Sequence, residues 1–260
     1  MIDGHVHLEK GPLNKEYVLE FVDEAINKGI DELQILDHSH RFKEFEAMYE
    51  TMKKHGGKQK EWLDHDFRNS LNEYLELIDE CKKLDLSVKL SFGLEVCFND
   101  SYTDFLKEIF NKYHFDFLVG SVHSIFNVAY DSSWSKEELW KKYSTDEIYY
   151  EYFKQSFSLI ESGLFNQIGH PDTIKMFNYY PSFDYLAYYD KLASLANKHH
   201  VKVENNTGCY YRYNHKDKGL AKEVLEIFRK NNCEMITVSD AHVPKDCGNY
   251  IKDIFEMTYK

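Results

Sequence analysis

Two kinds of segment alternate along the chain. Seven short, mostly apolar runs have the length and the flanking turn residues of β-strands, and the longer segments between them repeat apolar residues at helical spacing. Predicted strands cover residues 1–7, 32–37, 87–98, 115–121, a short run ending at 168, 201–205 and 234–239. Predicted helices cover the segment between an Asn14 cap and Gly29, then residues 67–84, 102–113, 145–162, 183–199, 220–230 and 249–259.

This regular alternation is typical of parallel β-α units, and 260 residues fit one domain. We therefore expect a single α/β domain over residues 1–260. Residues 42–66 are charged and aromatic and predict an irregular excursion with a helical turn or two, and residues 124–144 predict a loop. Long loops over the mouth of a barrel usually set specificity, so these two segments are the expected place for substrate recognition.

Polar side chains occur where the predicted strands end. Asp3, His5 and His7 share one face of the first strand, because residues i and i+2 of a strand point the same way. Seven of the 13 histidines lie at strand ends, at positions 5, 7, 38, 40, 123, 170 and 242. The others, at positions 55, 65, 114, 199, 200 and 215, are interpreted as solvated or structural.

One carboxylate interrupts an apolar strand. Glu95 lies within Gly93-Leu94-Glu95-Val96, and a buried carboxylate needs a basic side chain or a metal as partner. In parallel β-α barrels the successive strand ends meet at one mouth. The pattern therefore predicts that Glu95 and the strand-end histidines come together there.

Composition limits the possible partners. The chain has 32 basic and 44 acidic residues and a net charge of −12, which argues against nonspecific nucleic-acid binding but allows a small phosphorylated ligand. Five cysteines without CxxC spacing make a disulfide framework unexpected and a reducing cytoplasm the default location. No apolar run approaches 18 residues, so no membrane span is predicted, and oligomeric state stays open.

Taken in order, these phrases resemble the polymerase-and-histidinol-phosphatase (PHP) family. They are Asp-x-His-x-His, Asp37-His38, Gly-Leu-Glu, Ser-Val-His123, Gly-His170-Pro and Ser-Asp240-Ala-His242. Within that family the stand-alone histidinol-phosphate phosphatases are the most similar, sharing Gly-Leu-Glu-Val, the run from Gly163 to His170 and an Asn-Thr-Gly phrase followed by arginine. The resemblance implies a distorted (βα)7 TIM-like barrel with two or three divalent ions at its mouth.

The resemblance also implies how the ligands are shared. The first ion would be held by His5, His7, Glu95 and Asp240, the second by Glu95, His123 and His170, and the third by His38 and His242. Imidazole mixed with carboxylate suits Zn, Mn or Fe. Related phosphatases usually add a histidine from the loop after the first strand; this chain has none there, so Glu9 or His40 is the expected substitute.

Further roles are expected around this centre. Asp37 is predicted to orient a ligand imidazole. Arg212, Arg41 and Lys175 are candidate phosphate ligands, and the alternative for each is a solvated surface cation. Trp134 and the Tyr179-Tyr180 pair either line a pocket or pack in the core.

The expected activity is hydrolysis of L-histidinol phosphate, a histidine-biosynthesis step, with Glu95, Asp240 and His242 as catalytic residues. One alternative is a PHP-family phosphoesterase acting on nucleotides or another small phosphate ester. The lesser alternative is a non-catalytic metal-binding PHP module, against which the near-complete ligand set and the acidic charge both count.

Overall fold

A computed structural model describes residues 1–259 of the chain. Its strands are β1 (Ile2–His7), β2 (Glu32–Leu36), β3 (Lys89–Cys97), β4 (Phe117–Ser121), β5 (Ser124–Ile125), β6 (Val128–Ala129), β7 (Gln167–Ile168), β8 (Lys202–Asn206) and β9 (Met235–Val238). Seven of them form one parallel sheet in the order β1-β2-β3-β4-β7-β8-β9, and the short strands β5 and β6 form an antiparallel hairpin.

The sheet curls until its first and last strands meet. The His7 amide donates to the Ala241 carbonyl at 2.7 Å, and the Asp240 amide donates to the His5 carbonyl at 3.0 Å. A parallel bridge joins Val6 to Ala241. The molecule is thus a nearly closed barrel of seven parallel strands, which confirms the predicted fold class.

Helices cover the outside of the barrel. They are α1 (Lys15–Lys28), α2 (Glu50–Lys53), α3 (Gly57–Asp64), α4 (Leu71–Cys81), α5 (Thr103–Lys112), α6 (Thr145–Glu161), α7 (Tyr185–His199), α8 (Gly208–Tyr213), α9 (Lys222–Lys230) and α10 (Ile251–Tyr259). Helix α1 shows why the sequence folds this way: Asn14 Oδ1 accepts from the Tyr17 amide at 2.9 Å, and Gly29 ends the helix at φ 72°.

The structure corrects three local predictions. The helix predicted over 67–84 begins only at Leu71, because Ser70 and Glu73 form a capping box. The loop predicted over 124–144 contains the β5–β6 hairpin and a π-helical turn, Lys136–Trp140. Helix α8 was not predicted, since its six residues are too few to show a period. The excursion over 42–66 holds a 3-10 segment, Lys43–Tyr49, followed by α2 and α3.

Candidate metal centre

Glu95 lies at the middle of the barrel mouth and is fully buried. Its Oε2 faces three imidazole nitrogens, and its Oε1 faces two more while accepting a hydrogen bond from Ser121 Oγ at 2.6 Å. From Oε2 the distances are 2.8 Å to His38 Nδ1, 3.3 Å to His5 Nε2 and 3.4 Å to His7 Nε2. From Oε1 they are 3.2 Å to His123 Nε2 and 2.9 Å to His170 Nε2.

Asp240 and His242 complete this wall of the mouth. Asp240 Oδ1 lies 3.4 Å from His7 Nε2 and 3.3 Å from His242 Nε2. The backbone turns sharply at two of these candidate ligands, since Asp240 has φ 56° and His170 has φ 27°. Such left-handed conformations in non-glycine residues concentrate at functional sites.

The donor set fits bound cations. Glu95 Oε2 and His7 Nδ1 are buried and form no hydrogen bond within the described chain. The imidazole nitrogens closest to Glu95 Oε2 could instead share a cation with it. Four sets of three ligand atoms, each within 4.8 Å of one another, satisfy the spacing of a metal site. They are His7-His38-His242, His5-His7-Asp240, Glu9-His38-His40 and His38-Glu95-His123.

Electrostatics favours the metal-binding form of Glu95 and His7 but not of every candidate ligand. Burial raises the pKa of Glu95, but His123, His38 and His5 outweigh it and hold that pKa well below its ordinary value. Burial, together with the charges of His38 and His242, lowers the pKa of His7 well below its usual range. A carboxylate that stays ionised beside a neutral imidazole is the state that coordinates a divalent ion. Burial lowers the pKa of His5 and His123, but Glu204 and Glu95 outweigh it at His5 and Glu95 outweighs it at His123, so both pKa values are raised and these imidazoles release a proton when they bind an ion.

Glu9 lies where a third group of ligands converges. Its Oε1 is 2.9 Å from His242 Nδ1, and its Oε2 is 3.7 Å from His38 Nε2. His40 stacks on His38 with ring centroids 4.6 Å apart, but its Nδ1 lies 3.0 Å from Asp66 Oδ2. Of the two predicted substitutes for the missing histidine, Glu9 therefore has the more direct access to His38 and His242.

The three predicted phosphate-binding cations differ in position. Arg212 lines the cleft, with its guanidinium 3.1 Å from the Asp240 carbonyl and 3.3 Å from Asp240 Oδ2. Arg41 also reaches the cleft but is held by Asp37 at 2.5 Å and by Asn69 at 3.0 Å. Asp37 therefore orients an arginine and not, as predicted, an imidazole.

Lys175 is not brought to the cleft. It is 4% exposed, and its ammonium bonds Asp172 and the Gly219 carbonyl in a separate buried cluster. This position contradicts the prediction that Lys175 binds phosphate. Trp134 lines the cleft, whereas Tyr179 and Tyr180 are 39% and 42% exposed, so neither tyrosine packs in the core.

Sequence reasoning missed the layer beneath the ligands. Glu204 is fully buried; its Oε1 lies 2.7 Å from His5 Nδ1 and accepts from Gln167 at 2.6 Å, and its Oε2 accepts from the His170 amide at 2.8 Å. The signal was available, because Glu204, like Glu95, is an acid inside a strand. Gly169 also has a local purpose, since a Cβ there would collide with Ser121 Oγ, the group that bonds Glu95.

The fold and the site together define a parallel β-α barrel protein with a candidate polynuclear metal centre at its mouth. The chain belongs to the PHP domain family, whose model matches residues 3–235. No helix in the described part of the chain has the length and apolar character needed to cross a membrane.

Known proteins resemble the chain in sequence and in fold. It is 27% identical over 124 residues to a probable histidinol-phosphatase of Deinococcus radiodurans, covering 45% of this chain and 46% of the relative. It is 24% identical over 188 residues to a probable histidinol-phosphatase of Schizosaccharomyces pombe, covering 68% and 57%. The chain thus spans about half the length of the curated relatives it matches.

Two solved structures share the fold over nearly the whole chain. One is the histidinol phosphate phosphatase of Lactococcus lactis complexed with zinc, L-histidinol and phosphate, with a TM-score of 0.70, 18% identity and coverage of 99% and 92%. The other is the putative histidinol phosphatase of Listeria monocytogenes, with a TM-score of 0.73, 19% identity and coverage of 97% and 99%.

Proposed function

We propose that the protein is a metal-dependent phosphomonoesterase and that its substrate is L-histidinol phosphate, which it hydrolyses to L-histidinol and phosphate. The observation that carries the proposal is the Glu95 carboxylate, whose two oxygens face two separate groups of imidazoles. A carboxylate placed in this way would be shared by two ions, and paired ions of this kind supply charge for in-line displacement at phosphorus. The named activities of the relatives and the zinc, L-histidinol and phosphate bound by one structural neighbour support the substrate.

We further propose two or three divalent ions, Zn, Mn or Fe. His5, His7, Glu95 and Asp240 would hold the first, Glu95, His123 and His170 the second, and His38 and His242 with Glu9 the third. When bound, the ions supply Lewis-acid charge and lower the pKa of water. No ligand is a thiolate, and the mixture of imidazole and carboxylate favours these borderline metals over calcium.

The protein side chains then supply orientation and charge. Arg212, fixed on Asp240, presents a planar donor array at the edge of the ligand cluster, where it binds the phosphoryl oxygens. The Arg212 side chain is 25% exposed and lines the cleft, so part of the guanidinium is open to the substrate, whereas its Nε is buried. Glu95, Asp240 and His242 are the proposed catalytic residues because they belong to the candidate ligand groups that would hold the ions.

The size of the cleft agrees with a small substrate. Its volume is about 680 Å³, within the range of pockets that enclose small organic ligands. Histidines and acids line its floor, and Trp62, Met52, Trp134, Met176 and Tyr213 line its walls. These apolar surfaces suit an imidazole ring attached to a phosphorylated chain.

The proposal is tested by phosphate release. Protein stripped with dipicolinate and reloaded with Zn or Mn is given L-histidinol phosphate, nucleotides and sugar phosphates in parallel. We expect kcat/KM for L-histidinol phosphate on the order of 10⁴ M⁻¹s⁻¹ or more, with the stripped protein inactive. Preference for a nucleotide or sugar phosphate would move the protein to the broader phosphoesterase function, and no metal-restored activity on any ester would favour a non-catalytic module.

A further inference from the structure

Four carboxylates line the cleft, and one of them lacks a partner. Glu9 lies near His242, Asp66 is paired with His40, and Asp240 is paired with Arg212, as their distances above show. Within residues 1–259, the fourth forms no hydrogen bond or ion pair. The cleft-lining carboxylates are Glu9, Asp66, Asp131 and Asp240, and the one without a partner is Asp131.

The fold holds Asp131 in place even though its side chain has no partner. The β5–β6 hairpin follows His123 directly, and the Tyr130 amide donates to the His123 carbonyl at 3.1 Å. The Tyr130 carbonyl accepts from Ser135 Oγ at 2.6 Å and from Trp140 Nε1 at 3.2 Å. The backbone immediately before Asp131 is therefore anchored to a candidate metal ligand on one side and to the π-helical turn on the other, so the fold fixes where Asp131 joins the lining of the cleft.

Asp131 and the proposed phosphate-binding arginine line the same cleft. The Arg212 guanidinium is 5.3 Å from the centre of the Tyr213 ring, which also lines the cleft. Burial raises the pKa of the Tyr213 phenol, Arg212 lowers it and Asp131 raises it, so both charges act on this ring. The cleft thus contains a cation, Arg212, and an unpaired anion, Asp131, that both act on the ring of Tyr213.

This arrangement has a consequence for the substrate. A half-buried carboxylate repels an anionic phosphate ester unless the ester also carries a cation that reaches the carboxylate. L-Histidinol phosphate has such a cation, an ammonium group on the carbon next to the one that bears the phosphate. Sugar phosphates and nucleotides have no ammonium at that distance.

We propose that Asp131 is a specificity-determining residue that binds the ammonium group of an amino-alcohol phosphate. The inference rests on the proposed function for its substrate, and it deepens that function by naming the group that the cleft selects. Asp131, just after the β5–β6 hairpin, would discriminate against phosphate esters that carry no ammonium group. The metal centre, by contrast, binds the phosphate that all these esters share.

The test compares two esters that differ by one amine. Wild type, D131N, D131E and the control D79N are assayed with L-histidinol phosphate and with its desamino analogue, 3-(imidazol-4-yl)propyl phosphate. We expect D131N to lower the ratio of kcat/KM for the amine to that for the desamino ester by about 10- to 100-fold, the value of a charge-assisted hydrogen bond. D131E keeps the charge and should retain part of the preference, and D79N removes an exposed carboxylate on α4 and should leave the ratio unchanged.

A binding measurement separates this inference from the proposed function. Calorimetric titration of L-histidinol into the metal-loaded proteins with inorganic phosphate present requires no turnover. We expect its Kd to rise about tenfold or more in D131N, while the Kd of the desamino alcohol stays the same. If wild type hydrolyses no phosphate ester, the proposed function fails and the titration still tests Asp131. Equal affinity of wild type and D131N for L-histidinol, or an equal loss for both esters, overturns the inference.

Discussion

The Nδ1 atom of His5 lies 2.7 Å from Oε1 of Glu204, beneath the candidate metal centre and sealed from solvent. With Nδ1–H donating to that carboxylate, the ligand atom of His5 is Nε2, which lies 3.3 Å from Glu95 Oε2 and 2.8 Å from His7 Nε2 and binds a cation after it releases its proton. Carboxylates in this position orient a ligand imidazole and raise its basicity. A pairing between residues 199 apart in sequence thus sets the tautomer of a candidate ligand.

We expect Glu204→Gln to weaken metal binding by about 10- to 100-fold, because a neutral amide no longer strengthens His5 as a donor. Competition with a chromophoric chelator measures this affinity. Glu234→Gln is the matched control, since Glu234 is an exposed glutamate paired with Lys202. Equal metal affinity in Glu204→Gln and wild type would show that the His5–Glu204 contact only packs the barrel floor.

Glu95→Gln should lose bound metal and activity together. The carboxylate faces five imidazoles, and an amide removes its charge and places an N–H₂ group against one set of nitrogens. A metal centre stabilises the transition state by several kcal/mol, so its loss should lower turnover by at least about 10³-fold. Metal content by mass spectrometry and phosphate release are both measured; a variant that kept both would contradict the shared-ligand arrangement.

Glu9 should control the third ion alone. We expect Glu9→Gln to lower bound metal by about one ion per chain, because a neutral amide is a weaker ligand than carboxylate, while the other ions stay bound. Glu9→His restores the residue type that the family resemblance implies and should recover the ion. Glu20→Gln, on the exposed face of α1, serves as the control. Unchanged stoichiometry in Glu9→Gln would exclude Glu9 as a ligand.

Lys175→Met should affect stability and leave phosphate affinity unchanged. Burial lowers the pKa of Lys175, but Asp172 outweighs it and the pKa is raised, so the pair is charged in the folded state. Removing one partner of a buried pair costs about 3–5 kcal/mol, and this loss is measured by urea unfolding. Lys89→Met breaks an exposed pair with Glu32 and should cost less than about 1 kcal/mol. Weaker inhibition by phosphate at unchanged stability would return Lys175 to the phosphate site.

His215 should make the protein less stable in mild acid. The ring is buried, its Nδ1 accepts from the Asp217 amide at 3.2 Å, and burial followed by the charge of Lys175 lowers its pKa below 6.5. As pH falls through about 6.5, the unfolded chain takes up a proton that the folded chain does not, so the free energy of unfolding decreases by up to about 1.4 kcal/mol per pH unit. Stability is therefore higher above this pH than below it.

His215→Asn keeps an acceptor for the Asp217 amide but does not titrate, so its stability should fall less steeply below pH 6.5. Urea unfolding of metal-free protein at pH 7.5, 6.5 and 5.5 measures the difference. His114→Asn, at an exposed histidine, should follow the wild-type slope. The same slope in His215→Asn and wild type would mean that His215 titrates alike in both states.

Much of the candidate site was predictable because its signals are local. A strand that ends in histidine, or that carries Glu95 inside an apolar run, can be recognised from a few consecutive residues. The parallel β-α pattern then places all such strand ends at one mouth. The partners of those residues were less predictable: Arg41 and Lys175 are equally basic in sequence, yet one reaches the cleft and the other is enclosed by acids.

Hydrophobic periodicity and capping act over short stretches of chain, so the sequence alone sufficed to predict the seven strands of the main sheet, most of the helices between them and the residue types at the strand ends. The contacts of Glu204 with His5 and of Glu9 with His242, and the lack of a cation beside Asp131, depend on the closed barrel. These relationships join residues far apart in sequence. Closing the barrel selects which side chains become neighbours, and no local pattern encodes that choice.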